Sequence, residues 1–268
     1  MSLQGRTAVV TGAGSGIGRA IALSLAARGA HLALADVNTA GLAETAAQLA
    51  GVRVSQHRLD VADRDAVAAF PNAVLDDHPG VDIVVNNAGV ALGGTFEQVS
   101  EADFEWLFGV NFWGVVRMTR AFLPLLRASD DAHLVNLSSL YGLISPAGQT
   151  AYSASKFAVR GFSNALRAEL KGTRIAVTVV HPGGVATKIA RNARLAQGTS
   201  DAEAEAGRTR AEKLLRMPPE RAGEIIVAAM ERGAPRVVVG GDAKILALLE
   251  RIAPIGHAGL LARITRAR

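Results

Sequence analysis

The amino-acid sequence predicts a single-domain α/β fold, a parallel sheet with helices on both faces. Three observations predict it. Short β-branched runs alternate with longer Ala- and Leu-rich stretches of helical period, and such alternation builds parallel strands joined by crossover helices. The strand runs are apolar on both sides, as in Ile83-Val84-Val85, which a sheet covered on both faces requires. The 268 residues contain no internal repeat and no compositional break, so one core accounts for the chain.

Composition narrows the class further. Hydrophobic residues make up 49% and charged residues 20%, the balance of a globular chain. There is no cysteine, which excludes disulfides, thiolate metal sites and thiol nucleophiles; no metal centre is expected. The N-terminus lacks an apolar signal region and no apolar run is long enough to span a bilayer, so the expectation is a cytoplasmic protein. The formal net charge is +5, but residues 243–268 carry +4 of it. The remainder is nearly neutral and shows no basic stripe interleaved with aromatics, so no nucleic-acid partner is expected.

The first strand is expected over Arg6–Thr11, and the first helix over Gly16–Arg28. Between them runs Thr11-Gly12-Ala13-Gly14-Ser15-Gly16-Ile17-Gly18. A strand, a glycine loop and a helix N-terminus let a pyrophosphate approach the backbone, and a Cβ at Gly12, Gly16 or Gly18 would block that approach or the helix–strand packing. An isolated glycine turn is also an ordinary tight turn; the context points to a Rossmann-type, doubly wound sheet. The second strand, His31–Asp36, ends on Asp36, 18 residues after Gly18. A carboxylate there can accept hydrogen bonds from adenosine ribose hydroxyls and repel a 2′-phosphate. Val37 follows where an NADP site would place Arg or Lys, so the cofactor expected is NAD. As a plain structural residue, Asp36 would cap a turn or helix.

Further along, the periodicity predicts helices over Thr39–Leu49, Arg64–Asp77, Glu101–Leu126, Tyr152–Leu170 and Pro219–Arg232. It predicts strands over Val52–Gln56, Val81–Asn86, His133–Ser138, Ala176–Val180 and Arg236–Val239. Residues 184–217, polar and rich in Ala, Arg and Glu, are read as a helical substrate lid within a catalytic domain spanning 1–241. Residues 242–268 form an apolar-basic extension. In it Ile245, Leu248, Leu249 and Ile252 make one apolar helical face, and Leu260, Leu261 and Ile264 resume among Arg263, Arg266 and Arg268. Packing against protein, across a subunit interface or over the pocket, ranks first for this tail; weak contact with an anionic membrane surface ranks second.

The chemistry centres on Ser139, Tyr152 and Lys156. Tyr152 and Lys156 stand four apart on a helix and share a face. A phenol is a poor base at neutral pH, and a neighbouring ammonium favours the phenolate. Tyr152 could then exchange a proton with an alcohol or carbonyl oxygen. Ser139, at a strand end, could hydrogen-bond that oxygen, although a serine there is also a common turn or cap.

The ordered set Thr11–Gly18, Asn86-Asn87-Ala88-Gly89, Asn111, Ser139, Tyr152-Ser153-Ala154-Ser155-Lys156 and Pro182-Gly183-Gly184-Val185-Ala186-Thr187 resembles the short-chain dehydrogenase/reductase family. The resemblance covers nearly the whole chain up to about Gly240. It implies a Ser-Tyr-Lys catalytic site, with Asn111 holding a water beside Lys156 for proton relay and Lys156 bonding the nicotinamide ribose. It further implies that Gly12, Ser15, Gly16, Ile17 and Gly18 receive the pyrophosphate. Asp60 and Val61 would contact the adenine, and Asn87, Ala88 and Gly89 would line the cofactor, with Asn86 holding the sheet. Pro182, Gly183, Val185 and Thr187 would fix the nicotinamide end. Of Ser138 and Ser139 the second matches, 13 residues before Tyr152.

Two other readings compete. A ketoacyl reductase of the same family usually takes NADPH and ends soon after the last strand, so Asp36 and the tail count against it. A dinucleotide-binding scaffold without turnover need not keep Asn111, Ser139, Tyr152 and Lys156 together. Val90, Leu92, Leu140, Tyr141, Leu143, Ile189 and Leu195 suggest an apolar alcohol or ketone substrate, with plain core packing as their alternative role. The resemblance implies a homotetramer or dimer paired through the helices Glu101–Leu126 and Tyr152–Leu170, with apolar excess at Phe157, Phe162 and Leu166.

Overall fold

The computed structural model describes residues 2–199, 201–256 and 259; for residues 201, 203, 204 and 210–212 it describes the backbone only. Strands and helices alternate from the start: β1 (Thr7–Thr11), α1 (Gly16–Ala26), β2 (His31–Asp36), α2 (Thr39–Ala46), β3 (Val54–Arg58), α3 (Arg64–Leu75), β4 (Ile83–Asn86). A two-residue strand, β5 (Leu92–Gly93), leads to α4 (Glu101–Phe108) and α5 (Gly114–Ala128), then β6 (Ala132–Leu137), α6 (Thr150–Glu169) and β7 (Ile175–Pro182). The chain continues through β8 (Arg194–Leu195), α7 (Asp201–Leu214), α8 (Pro219–Glu231), β9 (Arg236–Val239) and α9 (Gly241–Ile252).

Seven strands form one parallel sheet in the order β3-β2-β1-β4-β6-β7-β9. The doubly wound, Rossmann-type sheet expected from the alternation is therefore present. Strand geometry sends successive side chains to opposite faces. Ala8, Val10, Leu32, Leu34, Ile83 and Val85 enter one core with α1, α2 and α8. Val9, Ala33, Ala35 and Val84 enter the other, against Phe70 of α3 and Met118, Phe122 and Leu126 of α5. Each large side chain so buried contributes about 1.5–3 kcal/mol. The strand order reverses at the β1–β4 pair, which opens a crevice at the carboxyl ends of those strands.

Four expectations are corrected. The helix expected to run unbroken over Glu101–Leu126 is divided by a π-helical turn at Gly109–Trp113. Buried Asn111 lies inside that turn and bonds outward to Val90, as π-bulges at functional sites often do. The third strand sits two residues later than expected, because its pairing with β2 sets Leu32 against Val54 and Asp36 against Arg58. Residues 184–217 are not simply helical: β8 pairs in parallel with β5 and ties the segment to the loop after β4. Finally, α9 docks through Ala243 and Leu246, against Leu140, Tyr141, Ile144 and Val238. Ile245, Leu248 and Ile252 are exposed and Leu249 is half-buried, so this face does not pack over the pocket of its own chain; it remains available to the subunit interface that was the other expectation. Leu260, Leu261, Arg263, Ile264, Arg266 and Arg268 lie outside the described residues.

Candidate active site

The predicted residues gather at one edge of the sheet because parallel strands present their carboxyl ends together. The glycine loop follows β1, Asp36 ends β2, Asn87–Gly89 follow β4, Ser139 follows β6 and the loop Pro182–Thr187 follows β7. At the first of these, Gly12 has φ +66° and Gly16 φ +53°, a region that favours glycine. A Cβ on Gly18 would stand 2.0 Å from the Gly12 carbonyl oxygen, and one on Gly12 2.7 Å from Asn87 Nδ2. Glycine is therefore required for the loop to lie against α1 and the β4 loop. Thr11 braces the two loops: its Oγ1 accepts from the Asn87 and Ala88 N–H groups at 3.0 and 3.1 Å. The Asn87 side chain donates to Thr11 O and Gly12 O.

Asp36 does not cap α2; Asn38 does, accepting from Gly41 N. Instead the Asp36 carboxylate accepts from Gly14 N at 2.9 Å and Asn38 N at 3.0 Å. It is thereby fixed beside the glycine loop. Asp60 makes a local turn by accepting from Ala62 N, and Val61 is buried against Gly114. Both follow β3, and Leu59 N donates to Asp36 O, so the pair stands next to the end of β2. A cleft of about 740 Å³ runs past Gly14, Ser15 and Gly16 to Thr187, Lys188 and Arg208. Its glycine floor, the α1 N-terminus and the cationic rim suit a pyrophosphate. Ser15 is the N-cap residue of α1 but its hydroxyl makes no capping bond, and Ile17 packs partly into the core beneath. The arrangement therefore fits a dinucleotide.

Strand β6 separates the two serines by function. Ser138 Oγ donates to Lys156 O at 2.8 Å and pins α6 to the sheet. Ser139 Oγ accepts from Tyr141 N at 3.1 Å, capping the 3-10 turn Leu140–Gly142, and Ser139 is close enough to the Tyr152 phenol to oppose the rise in its pKa. The Ser139 backbone is held twice, its carbonyl accepting from Gly142 N and from His181 Nδ1, both at 2.9 Å. Lys156 is buried; its Nζ donates to Leu137 O at 3.1 Å and lies 5.7 Å from the Tyr152 ring centre. Asn111, Gly89 and Lys156 converge: a Cβ on Gly89 would be 3.2 Å from Asn111 Oδ1 and 3.4 Å from Lys156 Nζ. The Asn111 amide is held by Val90 N, Val90 O and Ser155 Oγ.

The electrostatics correct one expectation. The ammonium does not bring the Tyr152 phenol below its ordinary range. Burial pushes that phenol up to about 12, against the lowering effect of the Ser139 hydrogen bond. Burial also pulls Lys156 down to about 8. Both groups resist charge because little water reaches them. The phenol rests protonated at neutral pH.

Around this centre, Leu92, Leu140 and Leu143 are core residues, less than 8% exposed. Val90, Tyr141 and Ile189 are half-buried and Leu195 is exposed, so the apolar lining is narrower than the sequence suggested. The sequence placed Thr11 and Ser155 within motifs but gave them no role, and did not single out His181 or Asp242. Each acts by bonding a neighbour distant in sequence, a signal that exists only after folding.

Comparison with known proteins agrees with this geometry. A family model described as short chain dehydrogenase matches residues 6–198. A Mycobacterium tuberculosis protein named SadH, described as an oxidoreductase, is 48% identical over 97% of this chain and 95% of its own length. A Streptomyces exfoliatus protein named 1-deoxy-11-beta-hydroxypentalenate dehydrogenase is 38% identical over 74% of each chain. A Burkholderia phymatum short chain dehydrogenase/reductase, solved in complex with NAD, superposes with a TM-score of 0.87 at 30% identity and 94% coverage of both chains.

Proposed function

The chain belongs to the short-chain dehydrogenase/reductase family of oxidoreductases, and from that premise we propose that it interconverts a hydrophobic secondary alcohol and its ketone with NAD(H), using Tyr152 as acid and base. The observation that carries this reading is buried Lys156, with its Nζ 5.7 Å from the Tyr152 ring centre and Asn111 and Gly89 converging on it, at the carboxyl edge where the glycine loop and Ser139 also lie. When bound, the nicotinamide would supply the hydride acceptor or donor.

The chain's own groups handle the proton. In reduction, the Tyr152 hydroxyl donates to the substrate oxygen while Ser139 Oγ hydrogen-bonds the same atom. In oxidation, Tyr152 must first lose its phenol proton to solvent by way of Lys156; the phenolate, its charge offset by the Lys156 ammonium, then takes the alcohol proton. The Gly12–Gly18 loop and the α1 N-terminus hold the pyrophosphate. Asp36 accepts from the adenosine ribose and disfavours a 2′-phosphate by like-charge repulsion. Support for an apolar substrate comes from Val90, Tyr141, Ile189 and Leu195 near the centre, and from a relative named for a hydroxypentalenate.

Calorimetry with each cofactor, followed by turnover on secondary alcohols of increasing chain length, tests the reading. NAD should bind at least about tenfold tighter than NADP. Tyr152→Phe should keep NAD affinity and lose about two or more orders of magnitude in turnover. Equal affinity for NADP would remove the assignment of Asp36, and full activity in the phenylalanine variant would remove Tyr152 from the chemistry.

A further inference from the structure

The loop Pro182-Gly183-Gly184, which precedes Thr187, is gripped from two sides. On one side, Gly184 O accepts from Arg216 N and Met217 N at 3.0 and 2.9 Å, and Ala186 N donates to Met217 O. On the other side stands Asp242, in the first turn of α9. Its Oδ2 accepts from Gly184 N at 2.8 Å across 58 residues of sequence. The fit is close. A Cβ on Gly183 would stand 2.5 Å from Asp242 Oδ2, and one on Gly240, where φ is +107°, 2.3 Å from Asp242 Oδ1. Two glycines thus make room for one carboxylate. The same helix turn places Ala243, and one turn later Leu246, against Leu140, Tyr141 and Ile144, next to Ser139. The start of α9 therefore touches both halves of the candidate site.

We propose that Asp242 is a positioning residue: its carboxylate fixes the backbone of Gly183 and Gly184, and so the loop that receives the nicotinamide end of the dinucleotide. The inference rests on the reading of that loop under Proposed function. Its physical basis is an ionised acceptor on a backbone N–H, a stronger bond than one between neutral groups. Without it, Gly184 N–H has no partner on that side and the two glycines regain their freedom. Asp242 touches neither substrate nor cofactor in this account; it acts through the loop. The C-terminal extension thereby acquires a function in the catalytic domain that its apolar periodicity did not reveal.

The test compares NADH with ADP-ribose, which lacks the nicotinamide, by calorimetry on the full-length protein. Asp242→Ala should weaken NADH roughly three- to tenfold and leave ADP-ribose unchanged. Amide exchange at Gly184 should quicken in the ligand-free protein. Asp242→Asn, whose neutral amide oxygen still accepts, should recover part of both effects. Gly183→Ala should mimic Asp242→Ala by displacing the carboxylate, and should add nothing further in the Asp242→Ala background. If Asp242→Ala does not fold, Gly183→Ala alone carries the comparison. An unchanged ratio of NADH to ADP-ribose affinity in these variants overturns the inference. Wild-type protein that binds neither ligand would overturn the dinucleotide reading itself, a different outcome.

Discussion

His133, the second residue of β6, is 2% exposed, with neither ring nitrogen engaged among the described residues. His181, fully buried in β7, uses Nδ1 on the Ser139 carbonyl and leaves Nε2 without a partner there. Burial lowers each from 6.5 to about 4. Both are therefore neutral in the folded chain, and the unfolded chain takes up protons that the folded chain refuses between those values. Their contribution to stability is complete above about pH 6.5 and is lost as pH falls toward 4. Urea midpoints should drop between about pH 7 and pH 5, and His133→Leu should shrink the drop; an equal drop in wild type and variant would contradict this. These histidines illustrate what single residues reveal. The placing of Tyr152 and Lys156 one turn apart on the same helix was legible, because it depends on helix geometry alone; the choice of Ser139 over Ser138 came from the family resemblance. The direction of the Tyr152 shift was not, because it depends on water excluded by elements far away in sequence.

Elements were legible where they are long and periodic. All seven sheet strands were anticipated, with bounds moved by at most two residues; the signal is strongest in apolar runs buried on both faces, such as β1 and β4, and weakest in β3 at the sheet edge. The π-turn at Gly109–Trp113 was invisible, since the helical period continues through it. The β5–β8 pair was equally hidden: two residues per strand make no pattern. That pair ties the segment after β7 to the loop after β4. Arg194 lies over the Trp106 ring at 3.7 Å and bonds Asp103 at 2.7 Å, while Arg194 N and Ala196 N donate to Ala91 O and Gly93 O. A cation over an indole contributes about 0.5–2 kcal/mol, enough to hold a short ladder closed. Arg194→Ala should speed amide exchange over residues 190–198 and raise the substrate KM severalfold, with cofactor affinity kept. Unaltered exchange in that segment would show that the ladder needs no latch.

At the scale of the molecule, the apolar surface is uneven. Trp113 on the π-turn and Phe157 on α6 remain exposed, as do Ile245, Leu248 and Ile252 on the outer face of α9. Large exposed side chains grouped on helix faces mark association surfaces, and closed symmetric pairing is the commonest solution. A homodimer or tetramer is expected, with light scattering at micromolar concentration returning at least twice the mass of one chain; a monomer would refute it. No helix among the described residues is long and apolar enough to cross a membrane. The doubly wound sheet explains why residues far apart in sequence share one edge: its strands deliver Gly12, Asp36, Asn87, Ser139 and Pro182 to their carboxyl ends. What α9 adds through Asp242 could not be found so, because nothing in residues 242–252 resembles a site until Gly184 meets it. The account rests above all on proton exchange at Tyr152 coupled to hydride transfer. The most direct measurement follows deuterium from the carbinol carbon of a secondary alcohol to the nicotinamide ring, by mass spectrometry, in wild type and Tyr152→Phe. The account predicts label in the reduced cofactor with wild type and almost none with the variant, both proteins binding NAD alike. Equal labelling by the two, or none from a wild type saturated with NAD across the alcohol series, would contradict it.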